Sequence, residues 1–591
     1  MGQNMQIILN QTEHIIGDFE QIFQDLRLCV ERKAQNGSEV QLFPELFLCG
    51  YPLQDLVLQK EFIERYEENR EAFNEWLKKR SPNTERLILV GGLHYEFDEE
   101  GLPLYIRNQI FEAKEGAGLC PLYTKILLPN YDIFDEEKYF TPGAEAKIIN
   151  FAGKNLGLLI CEDMWFSSGH DLDPVTILKK EAEKQKISLD LVVNLSASPY
   201  FLGKQEKRVI RAKEIASLMN APLAYVNRVG GEDEILFDGQ SFVTDGVKTW
   251  LARKFEEDVL SVSLPTPQEI TQKATSSEKT ENTWESLFRA DLSYDQASLD
   301  NKALPSLMKW DQNDCKEIAD ALCFGLQEYA LKCGFNKFLV ALSGGVDSGL
   351  VLTLAKLSLR PGQSLEAIYM PSRFSSPLST ELAEQLCENL EVPLIHFPIK
   401  FLHSTMKNEF TNHARSPLEG LPDENIQSRL RGTILYARSN QTGAMVINTS
   451  NKSELAVGYS TLYGDSVGAI SLLGDIYKSE VYDLAKYLKE RDGLLPHDYI
   501  ERPPSAELRE NQEDSQSLPP YERLDAILEG FLSYRLSRKK LQGLGFEEAE
   551  VKKVYDLYTK SEYKRNQFCP LIKVKAKSFG FGYRIPITKK N

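Results

Sequence analysis

The sequence predicts two large α/β domains in series, on three observations. Its 591 residues exceed what one ordinary hydrophobic core accommodates. Short apolar runs alternate with amphipathic stretches twice, before residue 264 and again after residue 306. Between the two patterns, residues 265–305 are polar and carry no apolar periodicity, so they read as a linker. The domains therefore fall at 5–264 and 306–591.

In the first domain, strand candidates rich in Val, Ile and Leu lie at 6–9, 40–43, 87–90, 156–160, 189–195 and 222–226. Residues 18–34 and 204–219 carry apolar side chains at helical spacing. In the second domain, 338–342, 365–370, 394–398 and 445–448 read as parallel strands, each followed by a helix-like stretch. Residues 502–521, rich in Pro, Glu, Gln and Ser, read as a mobile insert.

Composition excludes several classes. A hydrophobic content of 42 % with 26 % charged residues excludes a wholly disordered or fibrous chain. A net charge of −17 has the wrong sign for coating nucleic acid. The nine cysteines form no CxxC pair and are too sparse for a disulfide scaffold, which points to a reducing cytoplasm. The histidines show no metal spacing. No apolar run approaches the roughly 18 residues of a membrane helix.

The sharpest local signal is residues 343–348, SGGVDS, between an apolar strand and a helix. Gly344 and Gly345 let backbone N–H groups turn toward an anion, the helix N-terminus adds its positive end, and Ser343 and Ser348 add hydroxyls. Asp347 puts a carboxylate beside that anion, which only a bound cation makes favourable. No Gly-Lys-Ser/Thr ending is present, so this is not a Walker A loop.

SGGVDS resembles the pyrophosphate loop of ATP pyrophosphatases, which adenylate a carboxylate or carbonyl. Downstream come ENIQSRLRG at 424–432, NTSNKSE at 448–454, GYSTLYGD at 458–465, GDIYK at 474–478, PSAELR at 504–509 and SLPPY at 517–521. In that order the series resembles NAD synthetases over nearly the whole second domain. The resemblance implies a Rossmann-like parallel sheet and an ATP site at Ala341, Leu342, Ser343, Gly344, Gly345, Val346, Asp347, Ser348, Thr449, Lys478 and Ser505. It implies Mg²⁺ on Asp347 and Glu454, and deamido-NAD on Asn425, Arg429, Glu454 and Lys564. Leu462 and Ala469 depart from the lysine and aspartate of the ammonia-using members, so neither contact is carried over.

The first domain has its own constellation. Glu45 and Cys161 each end an apolar strand, and Lys125 precedes an irregular stretch. A thiol where the chain turns can attack a carbonyl, with a carboxylate to take its proton and a cation to hold the oxyanion. The three segments together resemble the nitrilase (carbon–nitrogen hydrolase) superfamily. That resemblance implies a four-layer α-β-β-α sandwich, a thioester intermediate, an accessory carboxylate at Glu136, and glutamine contacts from Tyr131, Ser198 and Lys204.

An amidase joined to an adenylating ligase resembles the glutamine-dependent NAD synthetases. The resemblance implies glutamine, ATP and deamido-NAD as substrates; a homo-oligomer is expected, and a protected route for ammonia too, since in neutral water ammonia is mostly ammonium, which is no nucleophile. Two rivals are an amidotransferase with another acceptor and an inactive scaffold. The 424–454 series argues against the first, and intact Glu45, Lys125, Cys161 and SGGVDS against the second.

Overall fold

The computed structural model describes residues 5–32, 37–165, 172–264 and 309–590; the expected linker lies outside them. The chain divides into two compact units, Met1–Glu232 with Leu236–Arg289, and Asp233–Ile235 with Ala290–Asn591.

The first unit runs β1 (Gln6–Gln11), α1 (Phe19–Glu31), β2 (Glu39–Leu42), α2 (Lys60–Lys78), β3 (Arg86–Phe97), β4 (Pro103–Lys114), β5 (Gly118–Thr124), β6 (Lys147–Phe151), β7 (Lys154–Ile160), α3 (Pro174–Gln185), β8 (Leu191–Ser196), α4 (Lys204–Met219) and β9 (Leu223–Asn227). Short strands β10 (Val229–Glu232), β11 (Ile235–Asp238), β12 (Phe242–Thr244), β13 (Thr249–Leu251) and β14 (Asp258–Ser263) follow. Two six-stranded sheets form, ordered β14-β1-β2-β3-β4-β5 and β13-β12-β9-β8-β7-β6.

One core cluster joins their inner faces: Ile7, Leu9, Val40 and Leu89 from the first sheet meet Leu158, Ile160, Val193 and Leu195 from the second. Helices α1 and α2 pack together, with α2 against β4 and β5; α3 and α4 contact β6, β9 and β12. This is the expected four-layer sandwich. Helix α1 shows why it forms: Asp18 caps it by accepting from Gln21 N, and Ile22, Phe23, Leu26, Cys29 and Val30 make one buried stripe. Strand β8 is buried on both faces, so it reads as a continuous apolar run. Truncating Leu195 to Ala there costs about 2–5 kcal/mol.

The second unit contains α5 (Gln312–Lys332), β15 (Lys337–Leu342), α6 (Val346–Ser358), β16 (Ser364–Tyr369), α7 (Pro377–Leu390), β17 (Leu394–His396), α8 (Lys400–Ala414), α9 (Leu421–Thr442), β18 (Met445–Asn448), α10 (Lys452–Val457) and β19 (Ile470–Ser471). It ends in α11 (Lys478–Asp492), α12 (Asp498–Glu501), α13 (Tyr521–Leu532), α14 (Arg538–Gly543), α15 (Glu548–Lys560) and α16 (Glu562–Arg565). The sheet is ordered β17-β16-β15-β18-β19, with every pairing parallel. Successive strands build outward from β15 on one side, then on the other. The order therefore reverses between β15 and β18, and open α/β sheets bind ligands at the carboxyl ends of strands flanking such a point.

Candidate active sites

Cys161 follows the last residue of β7, where the strand turns into a single 3-10 turn, and its φ of +41° lies in the left-handed region. A non-glycine residue held there is strained, and its neighbours over-determine it. Cys161 N donates to Asn194 Oδ1 at 2.6 Å, and Asn194 Nδ2 returns to Cys161 O at 3.4 Å. Two residues on, Asp163 accepts from Ile160 N and the Tyr123 hydroxyl on one oxygen, and from Ile126 N and Leu127 N on the other. Asp163 thus ties the cysteine turn to the segment that carries Lys125.

The Lys125 ammonium is 1 % exposed and lies 2.7 Å from Glu45 Oε1 and 2.9 and 2.7 Å from the two Glu136 oxygens. Asn108 Nδ2 also donates to Glu45 Oε1, at 2.8 Å, and Ala197 N to Oε2, at 2.9 Å. The Tyr51 hydroxyl donates to Glu136 at 2.9 Å. Burial alone would pull the lysine down, but Glu136, Glu45 and the Cys161 sulfur hold it well above its usual value. Burial lifts Glu136 to about 7 against the pull of Lys125, with Glu45 adding to the rise. Burial and Glu45 raise the Cys161 thiol, which Lys125 only partly offsets. The resting group is therefore a neutral thiol beside an ion-paired base.

The Ser198 hydroxyl sits 3.2 Å from Arg208 Nε, on a loop that Arg208 pins through the Ser198 and Pro199 carbonyls. Arg208 is itself fixed by Asp238. The Lys204 ammonium lies over the Trp165 and Phe201 rings at 4.7 and 5.0 Å. The Tyr131 hydroxyl donates to Glu162 at 2.9 Å. The sequence reading missed Glu162, a buried carboxylate one residue past the thiol, which burial lifts to about 7. It also missed Asp163, Asn194 and Asn108, for which no local signal exists.

In the second unit a cavity of about 260 Å³ opens where β15 and β18 diverge. Ala341, Leu342, Ser343, Gly345, Val346, Asp347, Ser348, Thr449, Glu454, Lys478 and Ser505 all line it. Gly344 lies behind it, with φ +78° and a virtual Cβ 2.6 Å from Ser379 O, so only glycine fits. Helix α6 starts without a side-chain cap, which leaves its first N–H groups for an anion. Ser343 and Ser348 hydroxyls meet at 3.0 Å, and Ser348 Oγ donates to Gly345 O, which sets the loop.

Asp347 accepts from Asn451 Nδ2 at 3.0 Å and from the Lys478 ammonium. Glu454 is pushed well up, first by burial and then by Asp347, with Lys478 opposing. Asp514 also lines the cavity, and its buried Oδ1 has no hydrogen-bond partner. Converging carboxylates with an orphaned oxygen fit a hard divalent cation. Among the described residues no three His, Cys, Asp or Glu side chains are placed to hold a metal together, so phosphate oxygens and water must complete such a shell.

Asn425, Arg429 and Lys564 do not line this cavity; they gather around residues 458–465. Asn425 accepts from the Thr461 hydroxyl at 2.9 Å, Arg429 donates to Leu462 O at 3.2 Å, and Lys564 to Gly458 O and Ser460 O, both at 2.6 Å. Another arginine, Arg431, does line the cavity; burial draws it down to about 10, and its Nε donates to Met370 O. Two residues beyond Arg429, it was hidden within the same motif. The 502–521 segment covers the cavity: Arg502 donates to Ser379 Oγ at 2.8 Å, and Glu507 accepts from Ser376 N and Ser379 Oγ.

Comparison with known proteins finds a family match in each half of the chain. Residues 7–268 match the carbon-nitrogen hydrolase family and residues 318–568 the NAD synthase family. The glutamine-dependent NAD(+) synthetase of Synechocystis sp. is 34 % identical, over 99 % of this chain and 98 % of its own. That of Thermotoga maritima is also 34 % identical, over 100 % and 99 %. The Acinetobacter baumannii glutamine-dependent NAD(+) synthetase in complex with ADP superposes with a TM-score of 0.68 at 28 % identity, covering 98 % of both chains. Two family matches on one chain, and relatives aligned from end to end, place this chain in the family of glutamine-dependent NAD(+) synthetases.

Proposed function

We propose that this chain hydrolyses glutamine at Cys161 and spends the ammonia on an adenylated dinucleotide in its second unit, converting deamido-NAD to NAD with ATP. The observation that carries the reading is the Lys125 ammonium buried between Glu45 and Glu136, in a chain that also presents an anion loop at a sheet switch point.

In the first unit, glutamine's α-ammonium faces Glu162 and Tyr131, and its carboxylate faces Lys204 and Ser198. Cys161 Sγ attacks the amide carbon as its proton passes to Glu45, and the Lys125 ammonium takes up the charge growing on the oxygen. Glu45 then gives that proton to the leaving nitrogen, ammonia departs, and a thioester remains. Water, deprotonated by Glu45, attacks the thioester; the C–S bond breaks, Glu45 returns that proton to Cys161 Sγ, and glutamate leaves. Glu136 keeps Lys125 charged and aimed throughout.

In the second unit, the loop N–H groups of 343–348 and Lys478 hold the ATP phosphates. Asp347 and Glu454 would hold Mg²⁺, which supplies charge neutralisation on those phosphates when bound. The nicotinate carboxylate of deamido-NAD attacks the α-phosphorus, pyrophosphate leaves, and ammonia displaces AMP from the adenylate to give NAD. Asn425, Arg429 and Lys564 are the contacts for the dinucleotide. Segment 502–521 keeps water from the adenylate. All nine cysteines are free, which suits a reducing compartment such as the cytoplasm, and no described helix is long and apolar enough to cross a membrane.

Purified protein given glutamine, Mg-ATP and deamido-NAD should form NAD and AMP in equal amounts, with glutamate. Glutamate and AMP without NAD, or amidation of another acid in place of deamido-NAD, would overturn the reading.

A further inference from the structure

Helices α10 and α11 present Glu454 and Lys478 to the cavity from their first turns. The two helices are separate stretches of chain, so that spacing depends on what joins their N-termini. Lys478 N donates to Ser453 Oγ at 2.9 Å, which links the start of α11 to the start of α10. Behind them stands Asp525, on α13, fully buried. Its Oδ1 accepts from the Ser453 hydroxyl at 2.5 Å. Its Oδ2 accepts from Ser479 N at 2.9 Å and from the Ser479 hydroxyl at 2.8 Å. Among the described residues Asp525 has no ion-pair partner within 4.0 Å, unlike the neighbouring Asp475, which pairs with Lys452 at 2.8 Å. A buried carboxylate held only by two serines and one backbone N–H is expensive to retain for packing alone. Its bond to Ser479 N sets a negative charge at the N-terminus of α11, which is favourable there, and its bond to Ser453 Oγ fixes α10 to the same carboxylate on a third helix.

We infer that Asp525 is a positioning residue for adenylation: it clamps the first turns of α10 and α11 so that the metal-binding Glu454 and the phosphate-binding Lys478 are held at a fixed separation. Ser453 and Ser479 are the two jaws of this clamp. The inference rests on the reading that Lys478 contacts ATP and Glu454 the metal.

Asn at 525 keeps the shape but turns an amide donor toward one of the jaws, which already donate. In full-length enzyme, Asp525→Asn should lower ammonium-driven AMP formation at least tenfold and raise the KM for ATP. It should also weaken binding of Mn²⁺, followed by its electron paramagnetic resonance signal with ATP present, by several-fold. Ser479→Ala removes one hydroxyl, leaves the backbone N–H bond, and should show the same changes at a smaller size, so the test survives if Asp525→Asn does not fold. Unchanged KM and Mn²⁺ affinity in the folded variants, whatever their melting temperatures, would overturn the inference. Lys478→Ala and Glu454→Gln separate the two levels: if both form AMP normally, the reading of the site fails. If both lose it while the Asp525 and Ser479 variants do not, only the clamp fails.

Discussion

At Cys161 and Lys125 the chain accepts local cost to place reactive groups. The cysteine sits at φ +41°, a conformation that costs a side-chain-bearing residue about 1–3 kcal/mol. Lys125 is buried because two carboxylates surround it. Lys125→Met leaves those carboxylates facing each other, and removing one partner from such a group costs about 3–5 kcal/mol. Glu136, pushed up by burial, destabilises the fold while ionised and ceases to do so once protonated. The loss should therefore be largest at alkaline pH and shrink as the pH falls through about 7, where Glu136 already titrates with the lysine present. Melting curves at pH 6 and pH 8.5 check this; a loss independent of pH contradicts it. Glu162, lifted to about 7, must be ionised to hold an ammonium. kcat/KM for glutamine should fall below about pH 7, and Glu162→Gln should flatten that limb while lowering the plateau roughly 10- to 100-fold, the worth of a charged hydrogen bond. A variant with the parental pH profile would exclude the role.

Among the elements, the short apolar strands were the legible ones, the half-exposed edge strand β17 included. Strands β7, β8 and β18, and helix α4, fall within two residues of their expected bounds, because parallel central strands are uninterrupted apolar runs. Strand β4 escaped notice because half-exposed positions mix charges into the pattern, β5 because a Gly and a Pro interrupt its apolar residues, and β12, β13 and β19 because they are too short for any periodicity. The reactive residues were legible because they end strands inside recognisable motifs. Asp163, Asn194 and Asp525 were not, since the bonds that join them to other elements span 33 to 72 residues and exist only after folding; nor was Asp514, whose Oδ2 accepts from Tyr521 seven residues on. The SGGVDS loop and the 502–521 segment each support a test. Asp347→Asn should reduce AMP formation by about 100-fold or more, since charge neutralisation at a phosphoryl group is worth several kcal/mol, while glutamine hydrolysis persists; AMP release at the parental rate contradicts the assignment. Arg502 and Glu507 tie 502–521 down through Ser376, Ser379 and Gly344. Protease nicking within the segment should slow when ATP and deamido-NAD are both bound, and Glu507→Gln should speed it. Equal nicking with and without ligands would mean that the segment is no lid.

For the whole molecule, the central claim is a division of labour: the nucleophile in one unit makes ammonia, and every adenylating group lies in the other. Free ammonia at neutral pH is mostly ammonium, which has no lone pair to attack an adenylate, so glutamine is the effective donor at low nitrogen supply. The most direct test is NAD formation by Cys161→Ala with each donor in turn. With glutamine the variant should make no NAD above background. With a high concentration of ammonium salt at mildly alkaline pH, it should make NAD at a rate close to that of the parent enzyme given the same salt. NAD formed by the variant from glutamine would place the nucleophile elsewhere. A folded, ATP-binding variant unable to use ammonium would show that the two chemistries are not housed in separable units.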